Sequence, residues 1–207
     1  IMEVFDELQT IFTDGLFHFG GDERPRGNWE KCIHCVALRK KLKLEDEHHL
    51  QNWFLNEVSE RLRKRGIRSI GWAEHIQGGV PEGQIVQAWN KPSEALQGVR
   101  AGREVINSYN RKIYLDYPAN KADAKELNKH SRRYRGRLVP SRSIYTFEPV
   151  PAGLTQEERN RIIGLEAPVW TESILMDRLD KKVFPRLISV AEVGWTDEKR
   201  KNWESFQ

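Results

Sequence analysis

The chain has 207 residues, 38% hydrophobic and 31% charged, which suits one domain with a buried core and excludes extended disorder. No apolar stretch approaches the length of a bilayer crossing, so no membrane span is expected. The net charge of +4 is local: residues 121–143 hold eight Lys or Arg against two acids, +6 in all, leaving −2 for the remainder. A nucleic-acid binder would spread a basic stripe over its body, so no nucleic-acid partner is expected.

In chain order, Met2, Val4, Phe5, Leu8, Ile11 and Phe12 fall close to helical spacing over residues 1–12. The chain thus opens inside an amphipathic pattern, as a piece cut from a longer protein would. Residues 16–19 form a short apolar run that reads as a strand buried on both faces. Gly20 and Gly21 then turn the chain and deliver Asp22 and Glu23. In α/β folds the carboxyl end of a strand is where chemistry is placed. Glu23 is the candidate general acid, and Asp22 the carboxylate that stays ionised beside a substrate dipole. The bland alternative is a solvated pair of turn acids.

Residues 24–31 read as a loop. Cys32-Ile33-His34-Cys35 has neither four spaced zinc ligands nor a strand directly before it, so a structural pair or a coincidence is expected rather than a metal or redox centre. A helix is expected over 35–41 and a stronger one over 45–65, with Leu50, Trp53, Phe54, Val58 and Leu62 as its apolar stripe. Strands are expected at 67–72, 84–89 and 103–108, with a helix over 92–101 and 113–117 extending the third strand or lying just past it. Residues 119–143 form a solvated basic insertion. Thr155 and Glu158 fit a capping box. A last strand lies within 162–170. One helix over 179–195 turns Val183, Leu187, Val190 and Ala191 inward, with Pro185 in its first turn.

Strands alternating with helices pair in parallel through crossovers, so the fold class is α/β. Five strands are too few for a closed eight-stranded barrel, which leaves an incomplete barrel or an open sheet. Three of the seven tryptophans, Trp72, Trp89 and Trp170, are expected to finish strands. In a parallel sheet they would share one face with Asp22 and Glu23. Indole walls beside carboxylates suit a sugar, which offers C–H faces to stack on and hydroxyls to bond. Tyr114, Asp116 and Glu172, at equivalent ends, would add polar contacts. For one tryptophan, plain packing is the better reading; three at matching positions favour a pocket.

These residues resemble family 20 glycoside hydrolases, the β-N-acetylhexosaminidases. Residues 17–23 are similar to the His-x-Gly-Gly-Asp-Glu signature, and Gly71-Trp72-Ala73-Glu74 to Gly-Trp-Asp-Glu, with Ala73 in place of the usual Asp. Val86 to Trp89, Tyr114 to Asp116, Glu166 to Glu172 and Ala191 to Trp195 resemble further blocks in the same order. Segment 29–35 is similar to bacterial members. The resemblance implies a (β/α)8 TIM barrel that is incomplete here: strands 4 to 8 with their helices, as a partial catalytic domain over 1–207. The missing part of the barrel, or another chain, would have to cover the sheet edge. It also implies exo-acting removal of β-linked N-acetylglucosamine or N-acetylgalactosamine from glycans, without a cofactor or metal, in the periplasm or outside the cell. The alternative is an inactive truncated fragment with at most weak sugar binding. By resemblance Glu23 is the acid and later the base, with a pKa raised by indole burial and by Asp22. Asp22 would hold the substrate acetamido N–H, Tyr114 its carbonyl oxygen, and Trp72, Trp89 and Trp170 its methyl. Glu172 would bind outer hydroxyls and Asp116 would support the acetamido region. His18 would orient its neighbours.

Overall fold

The computed structural model describes residues 1–25, 27–127 and 136–207. Lys129, Arg132, Arg133 and Arg135 of the basic insertion lie outside the described residues. Five strands form one sheet in the order β1-β2-β3-β4-β5: Leu16–His18, Arg68–Trp72, Ile85–Ala88, Val105–Asn107 and Ile162–Leu165. The β1–β2 and β2–β3 pairs are parallel, with Phe17 opposite Ser69 and Gly71 opposite Val86. The chain divides into two compact units, Ile1–Ala88 with Ser93–Val105, and Trp89–Pro92 with Ile106–Gln207.

In the first unit, helix α1 (Met2–Leu8) stops four residues earlier than the 1–12 pattern, and Ile11 and Phe12 are exposed. Strand β1 is not covered on both faces: Phe17 alone is buried, between exposed Leu16 and His18. The expected 24–31 loop contains a one-turn helix, α2 (Asn28–Lys31). Helix α3 (Ile33–Lys41) begins two residues before the expected start because Cys32 caps it. Helix α4 (Glu47–Arg63) begins where the Asp46 carboxylate accepts the His49 N–H at 2.9 Å. Its buried face is Leu50, Asn52, Leu55, Val58, Ser59 and Leu62, while the Phe54 of the expected stripe is 40% exposed. The polar members of that face are not wasted, since Ser59 and Ser69 share a buried hydroxyl bond of 2.6 Å. Phe17, Val58, Leu62 and Ile67 make the core, with Met2, Phe5 and Leu8 of α1 packed on it. Helix α5 (Ser93–Arg100) presses Gly98 so close that a Cβ there would lie 2.8 Å from Val105.

In the second unit, α6 (Asn110–Ile113) is a single turn, and the 114–117 segment after it is buried irregular chain rather than strand. Helices α7 (Lys121–Leu127), α8 (Ser141–Tyr145) and α9 (Gln156–Arg159) follow, and α9 carries the capping box in full. The single helix expected over 179–195 is two: α10 (Leu179–Val183) and α11 (Arg186–Trp195), followed by α12 (Trp203–Phe206). Pro185 stands between α10 and α11, because its ring cannot continue a helix or donate an N–H. Register shifts with the break. Arg186, Ser189, Val190 and Val193 turn inward, while Leu187 and Ala191 are exposed. The core joins Ile113, Tyr114, Leu115, Tyr117, Leu127, Val139, Ile144, Phe147 and Val190.

Candidate active site

The first unit holds Asp22, Glu23 and Trp72. The β1–β2 ladder runs on past β1: Phe19 N–H donates to Ile70, and Trp72 N–H donates to the Gly20 carbonyl at 3.0 Å. Trp72, the last residue of β2, is thereby fixed two residues from Asp22, and its ring is buried. Gly20 and Gly21 take φ of 78° and 100°, and Glu23 itself takes 45°. Left-handed backbone costs a non-glycine residue about 1–3 kcal/mol, so the surroundings must impose it. They do so from α4. Gln51 Nε2 donates to the Gly21 carbonyl at 2.8 Å, and a Cβ on Gly21 would stand 3.0 Å from Leu55. Arg24 extends the support, donating to Gln51 Oε1 at 3.4 Å while its guanidinium lies over the Trp29 ring at 5.3 Å.

Both carboxylates are exposed, so the indole burial expected for Glu23 is not found in this chain. His18 orients its neighbours as expected. Its Nδ1 accepts the Gly20 N–H at 3.0 Å, which places the neutral ring's proton on Nε2. Its centroid lies 4.9 Å from Trp72, edge to face. Although the residue keeps an exposed edge, burial of the ring pushes its pKa below 6.5, opposed by a hydrogen bond with Gln87 and by the Asp22 charge.

The second unit holds Trp89, Tyr114, Asp116, Trp170 and Glu172. Trp89 lies one residue past β3, and its carbonyl accepts the Asn110 N–H at 2.7 Å. Tyr114 is 1% exposed, and its ring stacks on Trp89 at 6.5 Å and 20°. Trp170 does not finish a strand: β5 ends at Leu165, and Trp170 caps the 3-10 turn Thr171–Ser173. It reaches Tyr114 because the Leu115 N–H donates to the Pro168 carbonyl at 2.9 Å, joining the two irregular segments. Burial pushes the Tyr114 hydroxyl well above its ordinary pKa, and a hydrogen bond with Trp170 opposes that shift. Indole nitrogen only donates, so in that bond the Tyr114 oxygen is the acceptor. Asp116 is fully buried, and Glu172 is exposed in the turn after Trp170. Three of the expected residues, Trp89, Tyr114 and Trp170, are therefore in mutual contact or linked through Tyr114.

Sequence reasoning missed Gln51, Arg24 and Arg186. Arg186 is 2% exposed, and its guanidinium donates to the carbonyls of Tyr117 (2.8 Å), Val139 (3.0 Å), Leu115 and Lys182. It clasps the backbone on both sides of Asp116. Its signal was an arginine on the helix face that also carries Ser189, Val190 and Val193. Beside it, Lys182 pairs with Asp123 at 2.8 Å.

The family description "Glycosyl hydrolase family 20, catalytic domain" matches residues 1–198. A β-hexosaminidase of Porphyromonas gingivalis is 29% identical over the whole chain, which covers 26% of that relative. One of Akkermansia muciniphila is 31% identical over 99% of the chain and 41% of its own length. Among solved structures, a family 20 exo-β-N-acetylglucosaminidase of Vibrio harveyi in complex with N-acetylglucosamine superposes with TM-score 0.82 at 30% identity, over 98% of this chain and 32% of that one. The β-N-acetylhexosaminidase of Bacteroides fragilis gives 0.83 at 29%, over 98% and 40%. The chain thus spans about a quarter to two fifths of the length of the curated relatives named here.

Proposed function

The chain belongs to glycosyl hydrolase family 20 and forms part of a (β/α)8 barrel, and from that premise we propose that it supplies the acid and acetamido-binding residues of an exo-acting β-N-acetylhexosaminidase. Its substrates are glycans ending in β-linked N-acetylglucosamine or N-acetylgalactosamine. The observation that carries this reading is the turn at Gly20–Glu23, where two adjacent carboxylates follow left-handed Gly20 and Gly21, Glu23 is itself left-handed, and Gln51 and Leu55 brace Gly21.

Glu23 protonates the glycosidic oxygen as the bond from C1 to that oxygen breaks. The substrate's own acetamido oxygen bonds to C1, as in the substrate-assisted glycosidases. Asp22 accepts the acetamido N–H and offsets the positive charge that grows there. Glu23, now a carboxylate, takes a proton from water, whose oxygen bonds to C1 as the bond from C1 to the acetamido oxygen breaks, with net retention. Tyr114 donates to the acetamido oxygen, which suits a phenol that burial keeps protonated. Trp72, Trp89 and Trp170 confine the acetyl methyl and hold the internal nucleophile in attack geometry. Glu172 binds outer hydroxyls, and Asp116 steadies the Tyr114 segment. The remaining strands come from outside residues 1–207, in the same or another chain. The site of action is the periplasm or the exterior. Among the described residues no helix is long and apolar enough to cross a membrane.

The test is Glu23→Gln in the complete protein. Unactivated glycosides should lose roughly 10³-fold in kcat/KM, whereas aryl glycosides with good leaving groups should lose far less in the first step. Equal loss on both would remove Glu23 from the acid role.

A further inference from the structure

The Cys32–Cys35 pair has no part in the reaction above. A structural role or a coincidence was expected because no strand precedes the pair, yet the structure gives it a different setting. Cys32 is the last residue after α2 and the cap of α3, and its Sγ accepts the Cys35 N–H at 3.5 Å. Both thiols are partly exposed, and neither is in a disulfide. Cys32 at the N-cap and Cys35 in the first turn of α3 thus stand together, with the Cys32 sulfur already against the Cys35 backbone, and closing a disulfide requires their Cα atoms to lie within roughly 4.4–6.8 Å. Among the described residues, no group of three or more His, Cys, Asp or Glu is arranged to hold a metal ion.

The two sulfurs are chemically unequal. The N–H of Cys35 and its neighbouring thiol hold Cys32 below the ordinary thiol pKa, while the nearby Cys32 sulfur pushes Cys35 up.

We propose that Cys32 and Cys35 form a redox-active dithiol that exchanges with external disulfides to give a reversible intramolecular bond. The Cys32 thiolate attacks one sulfur of an external disulfide, and the other sulfur leaves as a thiolate. Cys35 then loses its proton to solvent and attacks the Cys32 sulfur, expelling the second thiolate. Two protein thiols are oxidised and one disulfide is reduced to two thiols.

The test is to equilibrate the purified protein with the glutathione couple, quench, alkylate and digest with trypsin. Both cysteines fall in one peptide, 32–39, so the internal disulfide reads as a mass two hydrogens lighter with no label. A hundredfold rise in the ratio of oxidised glutathione to the square of reduced glutathione should carry that peptide from about one tenth to about nine tenths oxidised. Reduction should restore both labels. Cys35→Ser should trap a mixed disulfide with glutathione on Cys32, whereas Cys32→Ser should accumulate much less on Cys35. Independent glutathione uptake at each cysteine without the light peptide would overturn the proposal. So would a doubly labelled peptide at every ratio. Preferential trapping on Cys35 would overturn the assigned order of attack.

Discussion

Glu23 and Lys43 are the two non-glycine residues with positive φ among those described. That one of them is the proposed acid is where this chain departs from local preference, and such departures collect at working sites. The sequence displayed the Gly-Gly-Asp-Glu run but not the strain, because strain depends on Gln51 and Leu55, some thirty residues away. His18 offers a titration test at the same scale. Its folded pKa lies below 6.5, so the unfolded chain binds the proton more readily. Its contribution is therefore complete above pH 6.5 and is lost as pH falls from there through the folded value. Wild-type stability, measured by urea unfolding from pH 7 downward, should fall with a slope of up to about 1.4 kcal/mol per pH unit from this group. His18→Gln should flatten that limb. An unchanged limb would mean that other groups control it.

At the scale of elements, what the sequence made legible was periodicity and punctuation. The five strands, the α4 stripe in part, the α9 capping box and the α5 stop were all readable, since each rests on local chemistry. Three things were not. Trp170 is not at a strand end because β5 is only four residues long and irregular chain completes the path to it. The 179–195 helix is divided, because Pro185 falls past the first turn, where it ends α10 and caps the start of α11. The inward face of α11 then carries Arg186, which an apolar template cannot anticipate. Arg186→Met should strand several buried carbonyls and lower unfolding free energy by about 3 kcal/mol, with Arg186→Lys recovering less than half because an ammonium cannot span the same acceptors. Chemical denaturation of the three proteins at one pH measures both. A Lys variant as stable as the parent would show that the fork geometry is dispensable.

At the scale of the whole molecule, the second unit shows large apolar side chains to solvent: Trp195 at 91%, Met176 at 78%, Ile188 at 53% and Phe184 at 52%. Large apolar side chains left in water favour association. Residues 1–207 prepared alone should therefore self-associate in sedimentation velocity and brighten a hydrophobic dye, and Ile188→Glu with Trp195→Glu should reduce both signals several-fold. A monomer dark to the dye would show that these side chains do not drive association.

The strand order has a consequence of its own. Each strand lies beside the one synthesised before it. A growing chain can then add each strand to an edge already laid down as it leaves the ribosome, with loop closure kept short at every stage. Swapping two strands while keeping every side chain would burden synthesis more than the finished product. Arrest peptides placed after β2, β3 and β4 would report the pulling force at each addition.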